Sequence, residues 1–116
     1  MSDSIHELTL RIRGFCDARD WGPFHNAKDM AVAIAAEAGE LMQHFVWQQQ
    51  HQIEARVRDR KEEIASEMAD VAILLMEMAD RTGIDLGKAI SAKIELNEER
   101  YPVAKCRGNN LKYDQL

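Results

Sequence analysis

Apolar side chains recur at the helical interval along most of this chain, and nowhere alternate in the two-residue rhythm of strands joined by hairpin turns. Its two prolines and six glycines fall mostly between the periodic segments. This pattern predicts an all-α fold. Ser4, with Glu7 three residues on, spells a capping box and opens a first helix to about Arg19. Residues 20–26, "DWGPFHN", predict a loop, because Gly22 and Pro23 interrupt the period. Asn26 caps a second helix, with Asp29 in its first turn, running to about Val46. After the polar linker "WQQQHQ", a long third helix covers about Glu54 to Thr82, with Gly83 as its terminating residue. Asp85 caps a fourth, from Leu86 to about Arg100, which Pro102 stops. The remaining "VAKCRGNNLKYDQL" has no clear period and reads as loop. Four helices with short connections predict an antiparallel four-helix bundle. The 116 residues suit one domain, residues 1–116.

The formal charge of −5 argues against a nucleic-acid backbone as partner. No apolar run approaches membrane-spanning length, and "MSDSIHE" lacks the apolar core of a signal peptide, so no membrane association is expected. The two cysteines, Cys16 and Cys106, form no CxxC or Cys/His cluster and read as reduced thiols of a cytoplasmic protein. "VAILLMEM", 71–78, is apolar nearly all round. A helix of that kind must be covered on several sides. A chain this short predicts that a second copy helps, giving a homo-oligomer, dimer or tetramer.

Two helices carry carboxylates where apolar side chains belong. Met30, Ile34, Leu41 and Phe45 define the stripe of the second helix, and Glu37 falls in its middle with Glu40 at its edge. Ile64, Met68, Val71, Leu75 and Met78 define the stripe of the third, with Glu67 on its flank and Asp70 one turn on. Each helix therefore presents an acidic pair at i, i+3, "EAGE" and "EMAD", and residues three apart share a face. Carboxylates aimed at a core are costly unless they are paired or ligate a metal, and four together repel. No matching lysines lie on these stripes. A hard divalent cation resolves the conflict, because Mg²⁺ takes oxygen ligands and completes its shell with water and substrate phosphates. None of His6, His25, His44 and His51 lies three residues after a Glu, which argues against the Glu-x-x-His pattern of di-iron bundles and for Mg²⁺, with Mn²⁺ as a substitute. On the fourth helix, Lys93 and Asn97 share the stripe of Leu86, Ile90 and Tyr101, with Arg100 at its edge. A core-facing Lys calls for an anion, either a phosphate or a carboxylate of the metal cluster. Arg107 and Lys112 add cations in the tail, where solvated loop charge is an equal reading.

Taken in order, "RDWGPFH", "EAGELMQHFVW", "EEIASEMADVAILLMEMADRTGID", "KIELNEERYP" and "CRGNNLKY" resemble the MazG-like all-α nucleoside triphosphate pyrophosphohydrolases, in the small branch similar to dCTP pyrophosphatase. The resemblance covers most of the chain, and ExxE…ExxD…KxxxNxxRYP is specific as a set. It departs from larger relatives in having Ala36 before Glu37, where they often carry a second glutamate. The resemblance implies Mg²⁺ on Glu37, Glu40, Glu67 and Asp70. It implies triphosphate contacts from Lys93, Asn97 and Tyr101, with Arg100 beside them. It also implies that Trp21, His25 and Trp47 enclose the base. The reaction it implies is NTP + H₂O → NMP + PPi, cleaved between the α- and β-phosphates, on dCTP or a related or modified pyrimidine deoxynucleotide in nucleotide-pool cleaning. Glu40, then Glu63, is the expected proton acceptor. Two other functions fit the same pattern: a non-catalytic helical-bundle interaction protein, and a related pyrophosphohydrolase acting on another pyrophosphate such as phosphoribosyl-ATP.

Overall fold

The computed structural model describes residues 4–116. Among these residues there are six α-helices and no strand: α1 (Ile5–Asp17), α2 (Ala27–Gln43), α3 (Ile53–Asp59), α4 (Lys61–Thr82), α5 (Leu86–Arg100) and α6 (Val103–Cys106). Single 3₁₀ turns lie at Gly22–Phe24, Gln50–Gln52 and Tyr113–Gln115. The all-α expectation is met. The caps read from the sequence are in place. Ser4 Oγ accepts from the Glu7 amide at 3.2 Å, Asn26 Oδ1 from Asp29 at 2.8 Å, and Asp85 Oδ1 from Lys88 at 3.0 Å. Each side-chain cap satisfies one orphan amide and contributes about 1 kcal/mol. Gly83 ends α4 at φ 73°, a left-handed conformation that glycine adopts without strain.

The helix count is six rather than four. The expected third helix is two, α3 and α4, broken at Arg60 (φ −120°, ψ 28°) with neither Gly nor Pro at the break. The reason is tertiary. Arg56 Nε donates to the His44 carbonyl at 2.6 Å and ties α3 to the chain leaving α2. The second helix stops at Gln43, three residues before the expected Val46, as the chain tightens into 3₁₀-type bonds from His44 to Leu41 and Phe45 to Met42. The first stops at Asp17, before Asp20 takes φ 53°. The tail is not all loop. Pro102 caps the short α6, its carbonyl accepting from Lys105 and Cys106.

The chain divides into two compact units, one ending at Ile84 and the other Asp85–Leu116. In the first, α4 packs most extensively on α2 and also on α1. Met30, Cys16, Ile64 and Ala79 are its buried apolar residues. Arg13 joins α1 to α4 through two bonds to Asp80, Nε to Oδ2 at 2.9 Å and a terminal nitrogen to Oδ1 at 2.5 Å. Of the core stripe expected on α4 only Ile64 is buried, while Met68 is 57% exposed and Leu75 is also exposed. Helices α1 and α2 cover part of α4, and the single chain leaves the rest to solvent. In the second unit, the Arg100 guanidinium lies over the Tyr113 ring at 4.4 Å, and Tyr101 meets that ring edge-on at 6.1 Å. No helix of the described residues is long and apolar enough to cross a membrane.

Candidate active site

Helices α2 and α4 bring together three carboxylates read from the sequence. Glu37 from α2 and Glu67 and Asp70 from α4 each offer an oxygen within 4.8 Å of the others. Glu37 and Glu67 are half-buried and Asp70 is exposed. The Oε2 atoms of Glu37 and Glu67 are buried without a hydrogen-bond partner. Burial pushes both glutamates above the ordinary carboxylate value, and the neighbouring Glu40 and Asp70 charges push them further. This is the chemistry of an all-oxygen donor set with unspent acceptors, and it fits a hard divalent cation. A cleft of about 400 Å³ beside it is lined by Glu40, Gln43, His44, Arg60 and Glu67. Glu63 is exposed and does not line it.

The sequence reading passed over three residues of this cleft, Gln43, His44 and Arg60. His44 Nε2 stands 3.9 Å from Glu67 Oε1, a neighbour visible in retrospect because His44 lies one turn after Glu40 on the same helix face. Arg60 gave no signal, since its place depends on the break between α3 and α4.

A second group lies on the α1 side of α4. A cavity of about 570 Å³ is lined mainly by apolar side chains, among them Leu8, Phe15, Trp21 and Ile73, with Arg11, His25 and Glu77 as charged or polar members. Trp21 and His25, both expected in the base site, meet here with ring centroids 5.7 Å apart, and Phe15 packs edge-on to Trp21 at 5.5 Å. Glu77, absent from the expected site residues, is only 4% exposed. His25 Nδ1 lies 2.5 Å from Glu77 Oε2, and Arg81 Nε donates to the same oxygen at 2.6 Å. Burial works to raise the Glu77 carboxyl, but the bonds and charges of His25 and Arg81 outweigh it and hold the group below the ordinary value. Burial, with the Glu77 charge, pushes the Cys16 thiol up. Ligand atoms of Cys16, His25 and Glu77 also gather within 4.8 Å. Arg81 already supplies a cation to the Glu77 carboxylate there.

Trp47 is not gathered with Trp21 and His25. It is 92% exposed and sits at φ 64°, a left-handed conformation costly for a bulky side chain. In the second unit, Lys93, Asn97, Arg100, Arg107 and Lys112 are exposed and Tyr101 is half-buried. The core-facing position read for Lys93 and Asn97 is not met: of the stripe they share, Leu86 and Tyr101 are half-buried and Ile90 is exposed, and Lys93 and Asn97 themselves face solvent.

An all-helical chain with carboxylate pairs at i, i+3 on two packed helices, one member of each pair half-buried and the other exposed, defines a narrow class. This chain belongs to the MazG-like family, whose model matches residues 32–116. It is 36% identical over 104 residues to dCTP pyrophosphatase 1 of Rattus norvegicus, a match covering 88% of this chain and 61% of that protein. Against the Homo sapiens protein of the same name the identity is 33% over the same shares. The chain thus spans about three fifths of the length of these curated relatives. The crystal structure of a pyrophosphatase from Archaeoglobus fulgidus superposes with a TM-score of 0.81 at 34% identity, covering 88% of this chain and 95% of that one.

Proposed function

We propose that residues 1–116 act as a single domain with divalent-metal-dependent nucleoside triphosphate pyrophosphohydrolase activity, NTP + H₂O → NMP + PPi. The observation that carries the reading is the pair of buried, unpartnered oxygens on Glu37 and Glu67 beside Glu40 and Asp70. Carboxylates arranged this way repel one another until a cation joins them. Glu37, Glu40, Glu67 and Asp70 would hold Mg²⁺, which when bound neutralises phosphate charge and lowers the pKa of the attacking water. Glu40, ahead of Glu63, takes the proton from that water. Glu40 lines the cleft, whereas Glu63 does not.

Lys93, Asn97, Arg100 and Tyr101, with Arg107 and Lys112, are the proposed contacts of the triphosphate. The apolar cavity with Trp21 and His25 is the proposed base site, and Trp47 is the proposed stacking residue. The names of the curated relatives support dCTP or a related or modified pyrimidine deoxynucleotide as substrate. The exposed apolar faces of α2 and α4, with Val32, Met42, Met68 and Leu75, support a homo-oligomer. Sedimentation equilibrium at micromolar concentration is expected to show an oligomer, and a lone 13.2 kDa species overturns that part of the reading.

A panel of canonical and modified dNTPs and NTPs, with and without Mg²⁺, tests the activity by scoring pyrophosphate and orthophosphate separately. Metal-dependent pyrophosphate release, fastest with a cytosine nucleotide, is the expected result. Orthophosphate release overturns the cleavage position. Turnover of phosphoribosyl-ATP alone moves the substrate class. No turnover at all favours the interaction protein.

A further inference from the structure

The Glu77 group does work that the metal cluster does not call for. Glu77 is a buried, ionised carboxylate held between a guanidinium and an imidazole. An ionised carboxylate only accepts hydrogen bonds, so the nitrogen 2.5 Å away, His25 Nδ1, must carry a proton. The charged and titratable groups around this contact are few. Arg81 and Cys16 flank Glu77, and Arg11 lines the cavity. Arg81 already balances the Glu77 charge. Glu77 is buried while Arg81 and His25 are partly exposed, and a neutral imidazole leaves the three at zero net charge, whereas an imidazolium adds a positive charge beside an apolar cavity. In the neutral ring, a proton fixed on Nδ1 leaves Nε2 with a bare lone pair.

We propose that Glu77, clamped by Arg81, is a positioning residue that locks His25 in its Nδ1-protonated form, so that Nε2 offers a hydrogen-bond acceptor to the occupant of the cavity. This rests on the reading of that cavity as the base site. An acceptor there pairs with the exocyclic amine of a 4-aminopyrimidine and opposes the O4 carbonyl of a 4-oxopyrimidine. Glu77 thereby sets which base edge the pocket reads without touching the base.

Long-range ¹H–¹⁵N spectra of the His25 ring in the full chain at pH 8 test the lock directly, with H25N providing the assignment. The wild type is expected to show protonated Nδ1 and bare Nε2. E77Q, whose amide both donates and accepts, is expected to show a mixture of the two tautomers. The second arm is the ratio of kcat/KM for dCTP over dUTP. It is expected to fall at least tenfold in E77Q, mostly through KM. A wild-type ring protonated at Nε2, or a tautomer population unmoved by E77Q, overturns the proposal. An unchanged substrate ratio with a lowered Tm reduces Glu77 to a structural residue and overturns it as well. If the wild type hydrolyses no nucleotide, the functional reading fails while the spectra still decide the role of Glu77. If E77Q does not fold, the wild-type spectrum decides it alone.

Discussion

Helix α4 buries carboxylates in two ways, one at each end. Near its start Glu67 joins Glu37 from α2, with Glu40 and Asp70 beside them, and two buried oxygens lack partners. Near its end Glu77 sinks deeper but receives a hydrogen bond from Arg81 and another from the His25 ring. Electrostatics separates them with opposite signs. The first group is pushed above the ordinary carboxylate value and the second is held below it. Burial alone therefore says little about what a buried acid is for. An acid left uncompensated by its own chain is free to accept a cation, and one compensated internally can position its neighbours.

The sharpest way to break this comparison is to remove charge from the uncompensated end. E67Q keeps the shape and loses one ligand charge. It is expected to lower pyrophosphohydrolysis at least a hundredfold while the metal-free protein melts at the same or a higher temperature, since repulsion is relieved. Near-wild-type turnover at saturating Mg²⁺ contradicts the metal role. At the compensated end the sign reverses. E77A removes the acceptor shared by Arg81 and His25, both partly exposed, and is expected to cost about 2 kcal/mol, as for loss of hydrogen bonds to a charged group. Thermal melts showing a loss below about 1 kcal/mol would place Glu77 among weakly coupled surface pairs.

A third measurement asks whether the exposed Trp47 belongs to this chemistry. W47A is expected to raise KM for the preferred nucleotide about tenfold, equivalent to ~1.4 kcal/mol, and to change hydrolysis of bare triphosphate much less. Equal losses on both, with a lower Tm, assign Trp47 to packing instead.

The smallest effect is the pH dependence of stability. Glu37 and Glu67 bind protons more readily folded than unfolded, so their contribution is greatest at low pH and is lost as pH rises through their elevated folded values. Without metal, Tm is expected to drift upward as the pH falls through the elevated folded values toward the ordinary carboxylate value, and E67Q or saturating Mg²⁺ should flatten the drift. Glu77 contributes the other way. Its stabilisation is present above the ordinary carboxylate value and is lost as pH falls through its depressed folded value. Melts across the two windows separate the groups, and a Tm that falls on mild acidification without metal contradicts the assignment.

Local chemistry was legible in the sequence because it depends on residues three or four apart. The caps at Ser4, Asn26 and Asp85, the stop at Gly83 and the shared face of each acidic pair all follow from helix geometry. Glu37, Glu67 and Asp70 could be proposed as partners because each pair sat on or beside an apolar stripe, and the packing of α2 on α4 joins them. What only the tertiary structure decided involves partners distant in sequence. The break at Arg60 follows from Arg56 reaching the His44 carbonyl twelve residues away. Glu77 lies inside an apolar run, and its burial is tolerable only because His25, fifty-two residues earlier, and Arg81 meet it there. The exposure of Met68, Leu75 and Trp47 was equally hidden. Periodicity tells which face of a helix is apolar, whereas packing decides how much of that face one chain can cover.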